Sequence, residues 1–330
     1  MTFRKSLLCA ALMLVGCGRM SREEEFRSVL PTREQVEMKT PGQSGQGLTA
    51  ETGVHAQAEG ETSDLYKLTR GTTVLVNGGT LAVLRLVNAV TEHRPTTVTK
   101  DTAVWGPHTE ALARNTWKLT VKKTGEGTYQ YTVEAKAKEA PDTAFVTVLS
   151  GSHTAAMNEA DEPMKGFGQG DFTLDWDAAQ TLPEHDTHVG RMTVRYSRQS
   201  ETSDVTVDAD FRQVRDAHDS TRRVDADYRY VSTPGKGGAF DFRMSQDWHK
   251  VAGSTARENL TIKSRWLETG AGRSDVKLVG GDVQGEHTAT ECWDTTFASQ
   301  YLRASFYNPE ERYGNEASDC VFTSAAYSSL

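Results

Sequence analysis

Positive charge is scarce in this sequence: 37 Lys and Arg face 45 Asp and Glu, giving a formal net charge of −8 and a pI near 5.7. A nucleic-acid binder needs a basic face, so that class is excluded. The modest acidic excess reads as a well-hydrated surface. Signatures of catalysis are scarce too. There is no Gly-x-Ser-x-Gly elbow, no His-Glu-x-x-His pair and no Walker loop. Gly166-Phe-Gly-Gln-Gly170 alternates glycines, but a dinucleotide fingerprint needs a helix after it, and a strand pattern follows here. Asp175 and Asp177 share one face of that strand, where solvent leaves them ordinary acids. No cofactor is implied, and an enzyme is not expected. The residual enzymatic reading is a site around the loop 153–188. Its densest cluster, Glu184-His185-Asp186-Thr187-His188, reads as a solvated turn rather than a metal site, because an i, i+3 pair off a helix does not align two imidazoles.

Cysteine is limited to Cys9, Cys17, Cys292 and Cys320. At the N-terminus Arg4-Lys5 precede a short apolar core, Ser6 to Val15, too brief to span a bilayer, and no other run is read as membrane-spanning. The core ends in Leu14-Val15-Gly16-Cys17, which resembles the lipobox of bacterial lipoproteins; the competing reading is an ordinary secretory signal. The resemblance covers the first seventeen residues. It implies removal of a signal peptide 1–16, diacylation of the Cys17 thiol and, usually, acylation of the new amino terminus. An anchor of two or more chains is stable where one is marginal. Gly18, rather than Asp, after the cysteine implies the outer membrane of the cell envelope. With Cys17 lipidated, Cys292 and Cys320 remain as an even pair in an oxidising compartment, where a disulfide is expected.

Residues 17–61 are rich in Glu, Gln, Gly, Ser and Thr and read as a lipid-anchored tether. Ser21-Arg-Glu-Glu24 has the form of a capping box, and Phe26, Val29, Leu30 and Val36 give its first half something to dock with. Residues 62–330 read as a single domain. It opens on Thr62–His93, where Leu65, Leu68, Thr72, Leu75, Gly79, Ala82, Leu86 and Ala89 recur at spacings of three and four, the pattern of one long amphipathic helix. For residues 64–79 a hairpin competes, since Asn77-Gly78 suits a type I′ turn.

Almost everything after the helix reads as strand. Phe172 and Leu174, then Met192, Val194 and Tyr196, then Val207 and Ala209, then Tyr228 and Tyr230 alternate with Asp, Arg and Thr. Period two with one apolar face marks an antiparallel sheet wetted on one side. Short turns between successive runs make it a meander of about ten to twelve strands, enough to curl. Residues 153–170 read as a long loop. The fold expected is therefore mainly β (α+β), a large curled antiparallel meander packed around one long helix. Its C-terminal tail is fastened by the Cys292–Cys320 disulfide. The layout is similar to that of bacterial lipoprotein-localisation carriers, although no motif of that family is present. Three functions follow in order: a non-enzymatic envelope lipoprotein with a structural or interaction role, a carrier of an apolar ligand between helix and sheet, and an enzyme. The partners implied are the membrane, through lipid on Cys17, and an envelope protein or apolar ligand.

Overall fold

Period-two alternation is carried by strands that each pair with the next in sequence. The structure, a computed structural model, describes residues 20–42, 58–216, 221–246, 251–305 and 310–327. Residues 1–16, Cys17 and the stretch 43–57 lie outside the described residues. The sheet begins with β1 (Thr97–Val98), β2 (Thr102–His108), β3 (Asn115–Gly125), β4 (Thr128–Ala137) and β5 (Val146–Met157). It continues through β6 (Pro163–Asp175), β7 (Arg191–Arg198), β8 (Val205–Arg215), β9 (Arg223–Thr233) and β10 (Gly237–Gln246). It ends with β11 (Glu258–Leu267), β12 (Gly272–Val279), β13 (Glu286–Trp293), β14 (Ser299–Ala304) and β15 (Glu311–Tyr313). All pairings are antiparallel, and the 15 strands lie in sequence order with β1 and β15 at the edges, so the sheet is not closed.

Fifteen strands replace the ten to twelve expected, and two of them, β5 and β6, are longer than expected. The supposed loop 153–170 is mostly sheet: β5 and β6 pair from Leu149↔Leu174 to Met157↔Pro163, leaving only residues 158–162 as a turn. The glycines that suggested a loop are there for close packing. A Cβ on Gly170 would stand 2.7 Å from the Tyr196 hydroxyl and 2.3 Å from the Ser152 carbonyl oxygen. Gly170 therefore admits the neighbouring strand and an inward tyrosine where a side chain would not fit.

The inner face is the expected one. Phe172, Met192, Val194, Val207, Ala209, Tyr230, Phe240, Phe242 and Ile262 are all buried in one core. On it lies α3 (Asp64–Thr91), a single helix through Asn77-Gly78-Gly79, so the hairpin reading is not realised. Ser63 caps it, its hydroxyl accepting from the Tyr66 amide at 3.1 Å. Its most apolar 18 residues have a mean hydropathy of 1.5, so by length and composition it would suit a membrane span, which the sequence reading had missed. Instead Leu65, Val76, Val83 and Val87 are buried in the core.

The tether expected over 17–61 is corrected for the part the structure describes. Residues 22–28 form α1 (Arg22–Ser28), with the anticipated Ser21/Glu24 capping box, and residues 33–36 form α2 (Arg33–Val36). Phe26, Val29, Val36 and Met38 are 0% exposed. Phe26 meets Tyr129 edge-on at 6.1 Å. The apolar residues named from the sequence, Phe26, Val29, Leu30 and Val36, are the ones that dock. The packed body thus begins by Met20 rather than at residue 62.

The C-terminal tail corrects the picture of a wholly solvated outer face. Cys292 and Cys320 are disulfide-bonded. Beyond α5 (Glu316–Asp319) the chain lies over β11–β13. Arg265 and Arg273 donate to the carbonyls of Thr323 and Phe322, and Ala325 donates its amide to Asp275. Arg273 and Asp275, on the outer side of β12, are consequently 1% and 2% exposed. Replacing both cysteines by Ala is expected to cost about 3–4 kcal/mol in a urea titration, from the loop of 28-residue separation that the bond closes.

Candidate functional site: the helix in the trough

The sheet makes a trough, and α3 lies along it, held at both ends by charges from elsewhere in the chain. At the N-terminus Glu291 of β13 presents Oε2 to the Leu65 amide at 2.8 Å. A carboxylate there satisfies a helix N–H that has no intrahelical partner and complements the helix dipole. Glu291 is 1% exposed, and burial pushes its carboxyl above the usual range against the opposing hydrogen bonds from Leu65, Ser299 and Ser63. At the C-terminus Arg27 of α1 donates to the carbonyls of Thr91 and His93, the cation complementing that end. Its guanidinium also lies 5.5 Å from the Trp105 ring centroid.

Between the ends the contacts are both polar and apolar. Thr69, Ser264 and Ser274 form a buried hydroxyl cluster, with Thr69 and Ser274 each 2.6 Å from the Ser264 oxygen. Asn77 accepts from the Met38 amide at 2.9 Å and donates to its carbonyl at 2.8 Å, so the middle of α3 is tied to the chain after α2. Next to it the small residue does face the sheet, as its position in the stripe implied. A Cβ on Gly79 would stand 3.1 Å from the Met192 sulfur and 3.7 Å from the Phe211 ring. The space is thus taken by Met192 and Phe211. Residues 38–42 close the same side: Tyr230 exchanges hydrogen bonds with the Lys39 backbone, and the Tyr66 hydroxyl donates to the Pro41 carbonyl.

The other side of α3 is apolar and open. Val74 is 56% and Leu75 67% exposed, and a Cβ on Gly78 would meet nothing within 4 Å. Leu81, Ala82 and Leu86 are partly buried and Ala89 is exposed. From Gly71 to Thr91 the single charged residue is Arg85. A helix apolar on both sides is unusual outside a buried or interfacial setting. A hollow of about 560 Å³ lies elsewhere, at the sheet rim, lined by Lys100, Asp101, Lys123, Glu126, Met157 and Asp161, and is polar and open.

The residues singled out from the sequence do not converge. His185 points Nδ1 at the Leu182 carbonyl, and His188 pairs with Asp186 and stacks on Trp176. Among the described residues no group of three or more His, Cys, Asp and Glu side chains is placed to hold a metal. Asp175 caps α4 (Trp176–Ala179) and pairs with Arg191, while Asp177 pairs with Arg223. On the outer face Arg195, Arg212 and Arg229 pair with Asp210, Asp227 and Asp208 at 2.8, 2.6 and 3.0 Å, each half exposed. Such pairs contribute little, as a wetted sheet face requires. Ser274 and Lys277 have a Ser-x-x-Lys spacing that the sequence reading missed, but they sit on β12 and leave by opposite faces. Ser274 is buried under α3, whereas Lys277 lies 4.9 Å from the Tyr327 ring outside.

Glu291, Arg27 and Asn77 were not anticipated. Each acts across a long sequence distance, and nothing in the local pattern marks it. His153, 1% exposed and 3.1 Å from the Tyr196 hydroxyl, is also buried; desolvation pushes it down to about 4, so it is neutral at ordinary pH. No protein-family model, curated protein or solved structure matches the chain.

Proposed function

We propose that this chain is a non-enzymatic lipoprotein of the bacterial cell envelope, anchored in the outer membrane through acyl chains on Cys17. In this reading the open face of α3 meets another envelope protein. One observation carries it: α3 exposes Val74 and Leu75 while its opposite face is locked to the sheet and to residues 38–42. An exposed apolar stripe with a rigid backing is what a helix-recognising partner requires. The carrier reading has less support, because Met192, Phe211, Met38 and Val36 occupy the side of the helix where an apolar cargo would sit. The enzymatic reading has less still, since Glu291 and His153, both buried, are engaged in structural contacts and do not line the hollow at the sheet rim.

The test is a photo-crosslinking residue at position 75, activated in intact cells, with position 212 on the outer face as control. A discrete protein adduct from position 75, absent from position 212, supports the reading. Adducts of lipid mass alone, or equal labelling from both positions, oppose it. Leu75→Lys, at an exposed site, should change stability by no more than about 0.5 kcal/mol while abolishing the adduct formed from position 78.

A further inference from the structure

The linker between lipid and body is set by where the chain first docks. The Met20 amide donates to Glu162 at 2.8 Å, in the turn between β5 and β6. From there the segment is fastened: Glu25 receives Lys123 at 2.7 Å and the Tyr129 hydroxyl at 2.6 Å, and Phe26 is fully buried. Only Gly18 and Arg19 stand between Cys17 and Met20. Three Cα steps span at most about 11 Å.

The meander has two ends. The turns 99–101, 125–127, 158–162 and 199–204 share one, because each joins a strand running toward it to a strand running away. The connections 109–114, 138–145 and 176–190 share the other. Glu162 belongs to the first end. Its exposed residues include Lys100, Lys122, Asp101, Glu126, Glu159 and Asp161, both signs interspersed, with Val98 and Met164 beside them the large apolar side chains, 39% and 36% exposed. That composition fits contact with lipid headgroups and does not fit insertion into hydrocarbon.

We infer that the end of the sheet carrying the β1–β2, β3–β4 and β5–β6 turns is held against the membrane surface, with the opposite end directed away from it. This rests on the lipid-anchor reading of Cys17 given above. The two-residue linker acts as a short leash, so the body has a preferred orientation on the bilayer instead of drifting at the end of a long flexible chain. The partner is a lipid surface, and the acyl chains supply the affinity. The mixed charge of the turns supplies little, so high salt leaves the attachment intact.

The experiment uses the full acylated chain, extracted from membranes and reconstituted into vesicles of phosphatidylethanolamine and phosphatidylglycerol bearing an acceptor fluorophore on the headgroup. A donor is placed at Ala160→Cys, in the β5–β6 turn, or at Glu139→Cys, in the connection after β4. The 10 residues of β4 set these ends about 30 Å apart. Strong energy transfer from position 160 and weak transfer from position 139 is the result expected. Inserting about 20 Gly/Ser residues after Arg19, with a root-mean-square reach of about 25 Å, should erase most of the difference. Equal transfer from the two positions on the native linker overturns the inference. The mass of the N-terminal peptide separates the two ways of failing. Equal transfer from an acylated chain removes the orientation alone, whereas a chain found without acyl groups removes the anchor and the orientation together.

Discussion

Phe26→Ala is expected to destabilise the protein by about 3–5 kcal/mol in a urea or thermal titration. A tether residue would change stability by less than about 0.5 kcal/mol. The difference follows from the location of the ring. Phe26 is 0% exposed, edge-on to Tyr129 of β4, and lies in the same core cluster as Val29, Leu30, Val36 and Met38. Truncation removes buried apolar surface and leaves a cavity between α1 and the sheet, which a large surrounding sheet cannot collapse to fill. It also loosens the helix that carries Arg27, so the C-terminal carbonyls of α3 lose their cation. The effect of Phe26→Ala should therefore not add to that of Arg27→Ala, because the two act through one element.

Glu291→Ala is expected to cost about 2–4 kcal/mol, and Glu291→Gln less than about 1 kcal/mol at neutral pH. The alanine leaves the Leu65 amide buried without its acceptor and opens space beneath Ser63 and Ser299. The glutamine keeps an acceptor oxygen in the same place and removes a charge that burial disfavours. The two variants also differ from wild type in pH dependence. The Glu291 carboxyl titrates higher in the folded protein than in the unfolded chain. Between those two values the folded state holds a proton that the unfolded state has lost. The contribution of this group is therefore fully present below the unfolded value and is lost as pH rises through the folded one. His153 acts in the opposite sense: its folded value is about 4 against 6.5, so its contribution is present above 6.5 and is lost as pH falls toward 4. Subtracting the Glu291→Gln stability curve from that of wild type isolates the glutamate. The difference should move in favour of the glutamine as pH rises from the acid range, and a flat difference would contradict the assignment.

The architecture was largely legible in the sequence because it is written in short-range periodicity. Phe172 and Leu174 against Thr173, or Tyr228 and Tyr230 against Arg229, declare an inner and an outer face within a few residues, and the sheet follows that pattern. The long helix was legible for the same reason, and the Cys292–Cys320 bridge by counting thiols. What escaped was whatever depends on contacts between distant residues. In residues 20–42 the docking side chains Phe26, Val29, Leu30 and Val36 were visible, but not that they seat the whole stretch, Met38 included, in the core. Gly166, Gly168 and Gly170 looked like a loop, although a strand packed beneath tyrosines also needs glycine. The outer ladder read as uniformly solvated, and over β7–β9 it is; at Arg273 and Asp275 the tail covers it, which no pattern within β12 reveals. Of the candidate site, the apolar character of α3 was visible, but not which face is buried, since Leu75 and Ala89 of the expected stripe are exposed, nor its two charged end-pieces, Glu291 and Arg27. They lie 226 and 64 residues from the backbone groups they satisfy.

The central claim is that residues 20–42 are part of the folded body, filling one side of the trough and leaving a short leash to the anchor. Amide hydrogen exchange of the native protein, read by mass spectrometry on peptides from this segment, tests it most directly. The amides of Glu25, Met38 and Lys39 donate to Ser21, Asn77 and Tyr230 and should exchange as slowly as those of the central strands. Exchange of these three amides at the rate of a free chain, with β7–β9 fully protected, would contradict the account.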